Sequence, residues 1–267
     1  MTIKAWLPLI AAAVGLVTAS LPATGAPANP GQADRAKLQT SVKRGLDYLR
    51  KTQQPDGSWK SYPGITAMCA IAFLRNGVKE SDPAVGRACA YLAKLAKPNG
   101  AIYTDQFGPG QALPNYNTAL ALTALHLTGN PKYTPLVKKA QQFLATSQFD
   151  EGEGFKVTDR QYGGIGYGSR EDNPDLSNLQ NALEALRESG YPKNADAFKK
   201  AVIFLQRCQN REGSNDQSWA GTDGGFVYAS SGESKADEYT KKPHSSYGSM
   251  TYAGLKSYLY CSVSKND

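Results

Sequence analysis

The side chains with the clearest chemical potential are one aspartate and one histidine, each placed just before or at the start of a predicted helix. Asp175 opens the four-residue segment Asp-Leu-Ser-Asn, and His244 precedes a helix predicted from residue 246. A carboxyl group at a helix start can donate a proton as a general acid, or it can cap the free N–H groups and complement the helix dipole. We take Asp175 and His244 as the candidate catalytic residues, with capping as the favoured role of Asp175.

Side chains able to hold a metal ion or a cofactor are scarce. The other histidine, His126, lies inside an apolar helical stretch, where we expect a hydrogen-bonded core or lining residue. A zinc site needs three or four ligands, and the sequence contains no phosphate-binding loop and no serine-nucleophile motif. The sequence predicts neither a metal site nor a bound cofactor.

Tyrosines and polar side chains recur in the segments that lead into alternate predicted helices. A tyrosine offers a flat apolar face and a hydroxyl group, which suits glycans, peptides or apolar rings. Packing of loops onto helix ends is the alternative role for these tyrosines. The predicted tyrosine rim consists of Tyr62, Tyr103, Tyr116, Tyr167, Tyr228 and Tyr247. The predicted ligand-binding residues are Asn117, Asp175, Asn178, Tyr167, Tyr228 and Tyr247.

A repeated pattern indicates the elements that position these side chains. Each copy has a basic and a small residue, two variable positions, an aromatic residue and Leu, three further residues and then Gln. The copies begin at Arg44, Arg87, Lys139 and Lys200, and the second has Ala96 in place of Gln. Units of this size bury their apolar faces only by stacking on one another.

Two kinds of helix alternate along the chain. The first helix of each pair is amphipathic, whereas the second is apolar almost all round and therefore requires burial on more than one side. First helices are predicted at 38–53, 83–97, 133–148 and 195–209, and second helices at 64–76, 116–128, 175–189 and 246–262. The predicted fold is all-α: an α/α toroid of repeated helical hairpins, with second helices inside and long loops at one end.

The C-terminal residues predict an edge of this toroid. Residues 262–267 resemble residues 77–82, which link the first pair to the second. We expect the toroid to be incomplete or open at its C-terminal end, and we expect self-association through the open repeat edge.

The first 28 residues are typical of a secretory signal peptide. Lys4 precedes an apolar run from Ala5 to Leu21, and Ala26 and Ala28 supply small residues for cleavage. We predict a signal peptide at 1–28, a linker at 29–34 and the repeat domain at 35–267. The mature protein is then exported and has no stable membrane span; an uncleaved anchor is the alternative.

Charge and cysteine content lead to two further expectations. The formal net charge of +7 is spread over equivalent positions of successive outer helices, which forms a solvated face and does not indicate nucleic-acid binding. The four cysteines lie in apolar stretches, where we expect buried free thiols. A disulfide between Cys69 and Cys89 is the alternative in an oxidising compartment.

The repeat resembles the QW motif of squalene and hopene cyclases, which belong to the terpenoid cyclase and protein prenyltransferase toroid superfamily. The resemblance covers residue 35 to the end and implies the α/α toroid. It also implies that the Gln side chain caps the start of an inner helix while the aromatic residue stacks on it. The residues that would take these structural roles are Gln53, Trp59, Gln148, Gln209 and Trp219.

The catalytic residues of that superfamily have no counterpart at the matching positions. In squalene-type cyclases the middle Asp of an Asp-x-Asp-Asp motif protonates the substrate, and Ser177 stands in that place here. The zinc ligands of the prenyltransferases are also missing from the sequence. The resemblance and these departures together predict an exported repeat protein that binds a small apolar or glycan ligand, or a partner, at the loop-rich mouth of the toroid.

Two enzymatic alternatives stay open at this point. One is an active enzyme of the terpenoid cyclase or prenyltransferase type, which would enclose a deep cavity lined by aromatic and aliphatic side chains. The other is an exported toroid polysaccharide lyase, which would have an open charged groove. Arg170, Glu171 and Asp172 would supply charges to that groove.

Overall fold

Helices account for nearly all the regular structure of this computed structural model, which describes residues 32–108, 110–168 and 173–264. Within these ranges there is no β-strand, and only two isolated β-bridges occur. The helices are α1 (Gln32–Thr52), α2 (Pro63–Arg75), α3 (Pro83–Lys94), α4 (Pro114–Leu127), α5 (Thr134–Ala145), α6 (Leu176–Glu188), α7 (Asp196–Arg207), the one-turn α8 (Asp237–Thr240) and α9 (Gly248–Tyr260).

The predicted alternation of outer and inner helices is confirmed. α2, α4, α6 and α9 pack side by side in that order, and α3, α5 and α7 each pack against two successive members of this inner row. The inner helices bury large side chains such as Phe73, Leu122 and Leu183, and the outer helices close the core with Leu92 and Phe204. The chain is thus an all-α, toroid-like stack of helical hairpins, with every inner helix starting at the same end.

The sequence sets where several of these helices begin and end. α2, α3 and α4 each start at a proline, whose missing N–H group costs nothing at the first helical position. α2, α4 and α6 each end two residues before a glycine with positive φ, at Gly77, Gly129 and Gly190. The helix α1 begins at Gln32, so residues 32–34, predicted as linker, are helical. The predicted signal peptide lies outside the described residues.

A turn with the same hydrogen bonds follows each outer helix, which shows that the four repeats share one structure. In the first repeat the Gln54 N–H donates to the Ser58 carbonyl and the Gly57 N–H donates to the Gln54 carbonyl, both at 2.9 Å. The equivalent turns are built on residues 97–101, 149–164 and 210–225. The glycines of the four turns are Gly57, Gly100, Gly163 and Gly224, with φ of +90°, +93°, +83° and +76°.

These turn glycines form the junction between one repeat and the next. A Cβ atom on Gly163 would lie 2.0 Å from the carbonyl oxygen of Lys200, at the basic position of the next copy. Gly57 approaches the Arg87 carbonyl in the same way, at 2.4 Å. In the second, third and fourth copies this approach fully buries the small residue after the basic one, which explains the basic-small pair: Ala88, Ala140 and Ala201 are 0% exposed.

The repeat glutamines have a different role from the one that the resemblance implies. Gln53 Nε2 donates to the carbonyls of Gly57 (2.9 Å) and Ala84 (2.8 Å), and the Arg87 guanidinium donates to its Oε1. Gln148 Nε2 bridges Gly163 and Ala197 likewise, at 2.7 and 2.9 Å. The expected capping of an inner helix is therefore wrong: the amide joins its own turn to the first turn of the next outer helix.

The aromatic position of the repeat also differs in part from expectation. Trp59 is buried, donates its indole N–H to the Leu49 carbonyl (3.0 Å) and packs 6.3 Å from the Phe73 ring. In the fourth repeat Phe226 takes this place, because its N–H donates to Thr251 as the Trp59 N–H donates to a threonine in α2. Trp219, expected there, lies in the preceding loop.

The remaining sequence expectations have mixed outcomes. All four cysteines are free, and burial raises the pKa of Cys69 to about 11 and that of Cys89 to about 12, so the predicted buried thiols are confirmed at these positions. His126 is exposed near the end of α4, so the expectation of a core histidine is wrong. No helix in the described ranges is both long and apolar enough to cross a membrane.

Candidate functional site

The start of α6 lies beneath two of the long loops. The Asp175 N–H donates to the Ile165 carbonyl in the third loop (3.2 Å), and the Leu176 N–H donates to the Tyr228 carbonyl in the fourth (2.9 Å). Both loops are thereby fixed over one inner helix. Their side chains converge on Asp175, which is 3% exposed.

Asp175 caps α6, as its sequence position predicts. Its Oδ1 accepts a hydrogen bond from the backbone N–H of Asn178 (2.9 Å), and its Oδ2 accepts one from the Asn178 side-chain Nδ2 (2.6 Å). The N-cap residues of the other three inner helices make no side-chain cap: they are Tyr62, Leu113 and Tyr247. The third repeat therefore departs from the others at this inner-helix start.

A line of polar side chains leads from Asp175 toward the mouth. The Tyr228 hydroxyl lies near both the Asp175 carboxyl and the Tyr167 hydroxyl, and both groups influence its ionisation. Burial raises the pKa of Asp175 above its usual range despite the donors around it, and burial together with the Asp175 charge raises that of Tyr228. Burial also raises the pKa of Tyr247, with a smaller contribution from Asp175. We call Tyr167, Tyr228 and Asp175 the tyrosine relay.

Further contacts extend the aromatic rim from Tyr167 across the mouth. The rings of Tyr116 and Tyr167 lie 6.2 Å apart, and the backbone of Tyr167 accepts a hydrogen bond from the Asn115 N–H (3.0 Å). The Asn115 side chain donates to the Gly166 carbonyl at the same distance. The first turn of α4 thus holds the third loop in place.

A small pocket opens beside Tyr167, between the second and third loops. Its volume is about 160 Å³. The Lys97 ammonium lies 4.7 Å from the centre of the Tyr103 ring and 3.3 Å from the Asp105 carboxylate, so charge accompanies the aromatic faces. We call this space the mouth pocket, and its lining includes Tyr103, Asp105, Ala112, Leu113, Pro114 and Tyr167.

A second cavity lies between α2, α4 and α6, on the axis of the helix stack. Its volume is about 200 Å³. Met68, Ile71 and Leu120 give it an apolar part, whereas Arg75 and Glu184, 3.6 Å apart, bring opposite charges into its lining. This axial cavity combines hydrocarbon with an ion pair.

The structure brings together most of the predicted ligand-binding residues. Asp175, Asn178, Tyr167 and Tyr228 form one cluster, in which hydrogen bonds join Asn178 to Asp175. Asn117 is separate: its Nδ2 donates to the Ala112 carbonyl (2.7 Å), and its Oδ1 faces α2.

The other candidate catalytic residue, His244, supports the fourth loop. Its Nδ1 lies 2.8 Å from the Gly232 carbonyl, and its ring lies 5.3 Å from that of Trp219. Its backbone N–H donates to Asp237. In the described residues no hydrogen bond joins His244 to the tyrosine relay, and catalytic roles for both candidates stay predictions.

Two buried asparagines, Asn178 beside the relay and Asn117 in α4, have side-chain oxygens that accept no hydrogen bond from the described residues. Asn117 is the fourth residue of α4 and Asn178 the third residue of α6, and the oxygen in question is Oδ1 in each. Buried amide oxygens of this kind are uncommon in proteins. No three His, Cys, Asp or Glu side chains in the described ranges are grouped to hold a metal ion.

The sequence missed Asn115, Asp105 and Arg75 as contributors to these sites. Asn115 lies one residue before a predicted helix start. A polar amide side chain at that position was the only signal in the sequence that could have indicated its role. The charges proposed for a lyase groove, Arg170, Glu171 and Asp172, lie outside the described residues.

These features first define a class: an all-α toroid whose repeats are joined by Gln–Gly junctions and whose inner helices start beneath long loops. A profile of the squalene-hopene cyclase C-terminal domain matches residues 60–229. The chain belongs to this family.

Two characterised relatives align with part of the chain. A squalene–hopene cyclase from Bradyrhizobium diazoefficiens is 30% identical over 134 residues, which cover 45% of this chain and 20% of the relative. Sporulenol synthase from Bacillus subtilis is 28% identical over 180 residues, which cover 66% of this chain and 27% of the relative. The aligned part thus spans only about a quarter or less of each relative's length.

Proposed function

We propose that this squalene cyclase-like repeat protein is exported and binds one ring of a glycan in the mouth pocket, without converting it. The observation that carries the proposal is the composition of the pocket, in which Tyr103 and Tyr167 lie beside the carboxylate of Asp105. Aromatic faces pack against the apolar face of a sugar ring, and a carboxylate accepts hydrogen bonds from its hydroxyl groups. Export rests on the signal-like residues 1–28.

The size of the pocket favours a single ring. Its volume of about 160 Å³ is below the ~300 Å³ at which pockets for drug-sized ligands begin. A polycyclic product would not fit within such a space. One sugar ring at the end or branch of a glycan is therefore the favoured ligand.

The axial cavity supports the same choice over cyclisation of an isoprenoid. It is also small, at about 200 Å³, and its lining contains Arg75 and Glu184. Hydrocarbon placed against ionised groups costs free energy because it removes their water without replacing its hydrogen bonds. A long apolar substrate is disfavoured there.

The state of the helix start supports binding without turnover. Both carboxylate oxygens of Asp175 already accept hydrogen bonds from Asn178. Ser177 stands where the resemblance places the cyclase acid, and a hydroxyl group does not protonate an alkene. The relay orients Tyr167 at the pocket wall, which gives Asp175 a positioning role.

Native mass spectrometry of protein purified from the exported fraction tests the export. Titration of that protein with neutral and uronic oligosaccharides and with farnesol then tests ligand binding. We expect the measured mass to be that of a chain whose first residue is near residue 29. We also expect the protein to bind an oligosaccharide and to form no new product from it. Tyr103→Ala should weaken that binding by about tenfold, because it removes one of the two aromatic faces.

The matched control is Tyr239→Ala, because Tyr239 is 83% exposed on α8 and does not line the pocket. It should leave the affinity unchanged. Binding of farnesol alone would contradict the proposal, as would turnover of either class of compound that is lost in Asp175→Asn.

A further inference from the structure

The fourth repeat ends in a junction that is only half occupied. Gln209 Nε2 donates to the Gly224 carbonyl (2.9 Å), but within the described residues it has no second acceptor of the kind that Gln53 and Gln148 find on the next outer helix. A Cβ atom on Gly224 would meet nothing within 4 Å. We call Gln209 and Gly224 the C-terminal socket.

The complementary half of a junction is exposed on α1. Ser41, Gly45 and Tyr48 lie on one face of this helix, since they are spaced by four and three residues. All three are exposed, Tyr48 by 66%, and a Cβ atom on Gly45 would meet nothing within 4 Å. We call these residues the α1 face.

The α1 face has the same register as the faces that fill the internal junctions. Its counterpart in α3 consists of Ala84, Ala88 and Tyr91. Both alanines are buried, and α3 packs there against the turn that follows α1. The amide of Gln53 bonds the carbonyl of Ala84, three residues before the basic Arg87. The same count back from Arg44 arrives at Ser41. Leu38, 45% exposed, extends the α1 face by about one turn beyond Ser41.

We propose that two copies of this chain associate head to tail, with the α1 face of one copy seated in the C-terminal socket of the other. Gly224 then packs on the Arg44 carbonyl of the second copy, and Gln209 Nε2 donates to its Ser41 carbonyl. Both contacts repeat those that hold successive hairpins together within one chain. Because the two surfaces differ, the contact is heterologous and generates rings or open chains.

Sedimentation of the full chain over a wide concentration range tests this association, with Gly45→Glu as the blocking variant. A carboxylate side chain at residue 45 occupies the space that the socket glycine needs. The same change improves the helix, because glycine is the weakest former after proline. We expect Gly45→Glu to stay folded and to associate at least about tenfold more weakly than the parent protein.

Two further variants make the test specific. Ala36→Glu adds the same side chain to an exposed position on the far side of α1 and should associate like the parent. Gln209→Glu loses the two amide donors of the socket and should also associate at least about tenfold more weakly than the parent. A mixture of Gly45→Glu and Gln209→Glu should form a 1:1 dimer that grows no further, because each variant keeps one intact surface.

A parent protein that remains monomeric throughout would overturn the proposal. So would a Gly45→Glu variant that associates as the parent does, because the contact would then lie elsewhere. Failure of the mixture to form the 1:1 dimer would exclude the head-to-tail arrangement.

Discussion

At the scale of single residues, the carboxyl group of Asp175 is under two opposed influences. Burial beneath the third and fourth loops disfavours its charge, whereas the donors of Asn178 and the Tyr228 hydroxyl favour it. Burial is the larger influence, so its pKa in the folded protein lies above its ordinary value. The same group that caps α6 therefore costs stability when it is ionised.

This balance predicts the effect of Asp175→Asn. Asparagine caps a helix about as well as aspartate, and Asn178 has an unpartnered Oδ1 that can turn to accept from the new amide. At neutral pH we expect the variant to be at least as stable as the parent. Below the raised pKa, and down to its ordinary value near 3.8, the parent binds more protons folded than unfolded and gains stability relative to the variant.

Urea unfolding of both proteins at pH 7 and near pH 4 measures this difference. Asp175→Ala is the control: it lacks both the cap and the titrating carboxyl, so it should be about 1 kcal/mol less stable than Asp175→Asn at either pH. A difference between parent and Asp175→Asn that does not change with pH would show that burial does not control the carboxyl.

The sequence predicted Asp175 as a cap because an aspartate just before an amphipathic segment is a local signal. It could not predict that Tyr228 lies beside Asp175 and Tyr167 beside Tyr228, since the two tyrosines lie in different loops. Asp105 was missed for the same reason, although Tyr103 was predicted in the tyrosine rim: the pocket that they share exists only where the second and third loops meet.

At the scale of elements, the turn glycine decides how closely two hairpins approach. Gly163 and Gly224 have similar positive φ values and the same hydrogen bonds within their turns. Only Gly163 lies against the next outer helix, where its missing Cβ admits the Lys200 carbonyl. Replacing either glycine by a residue with a side chain therefore strains the backbone. Only the replacement of Gly163 also brings a Cβ atom into collision with the next outer helix.

We predict that Gly163→Ala lowers the free energy of unfolding by about 2–4 kcal/mol, and Gly224→Ala by about 1 kcal/mol. Strain at positive φ costs about 1 kcal/mol in both, and overpacking adds about 1–3 kcal/mol at Gly163 alone. Chemical denaturation at high dilution, where copies of the chain are apart, measures both. If the two variants lost the same free energy of unfolding, the junction at Gly163 would accommodate the added Cβ atom without further destabilisation.

The helices themselves were predictable because their period and their glycine and proline ends are local. The predicted bounds agree with the observed ones to within three residues, except that α1 begins six residues before its predicted start. The exchange of Trp219 for Phe226 has a different cause. A long insertion separates Gln209 from its turn glycine, Gly224, so the spacing of the first repeat does not identify Phe226.

At the scale of the whole molecule, one charged network joins helices from three hairpins at the end opposite the mouth. Arg75 in α2 bonds Glu188 in α6 at 2.8 Å and approaches Glu184. Lys256 in α9 reaches Glu184 at 2.8 Å. All four side chains are less than a third exposed, so water screens them only in part.

We predict that Arg75→Met destabilises the fold by about 2 kcal/mol, because it leaves two partly buried carboxylates with Lys256 as their remaining cation. This is below the ~3–5 kcal/mol for breaking a fully buried pair, in keeping with the partial exposure. The matched control is Lys199→Met, which removes a cation from an exposed pair with Asp196 and should cost less than about 0.5 kcal/mol. Thermal and urea unfolding of both variants measure the difference. If the two variants lose the same stability, the network does not hold the first hairpin to the third, and the apolar packing of the inner helices alone maintains the curvature of the stack.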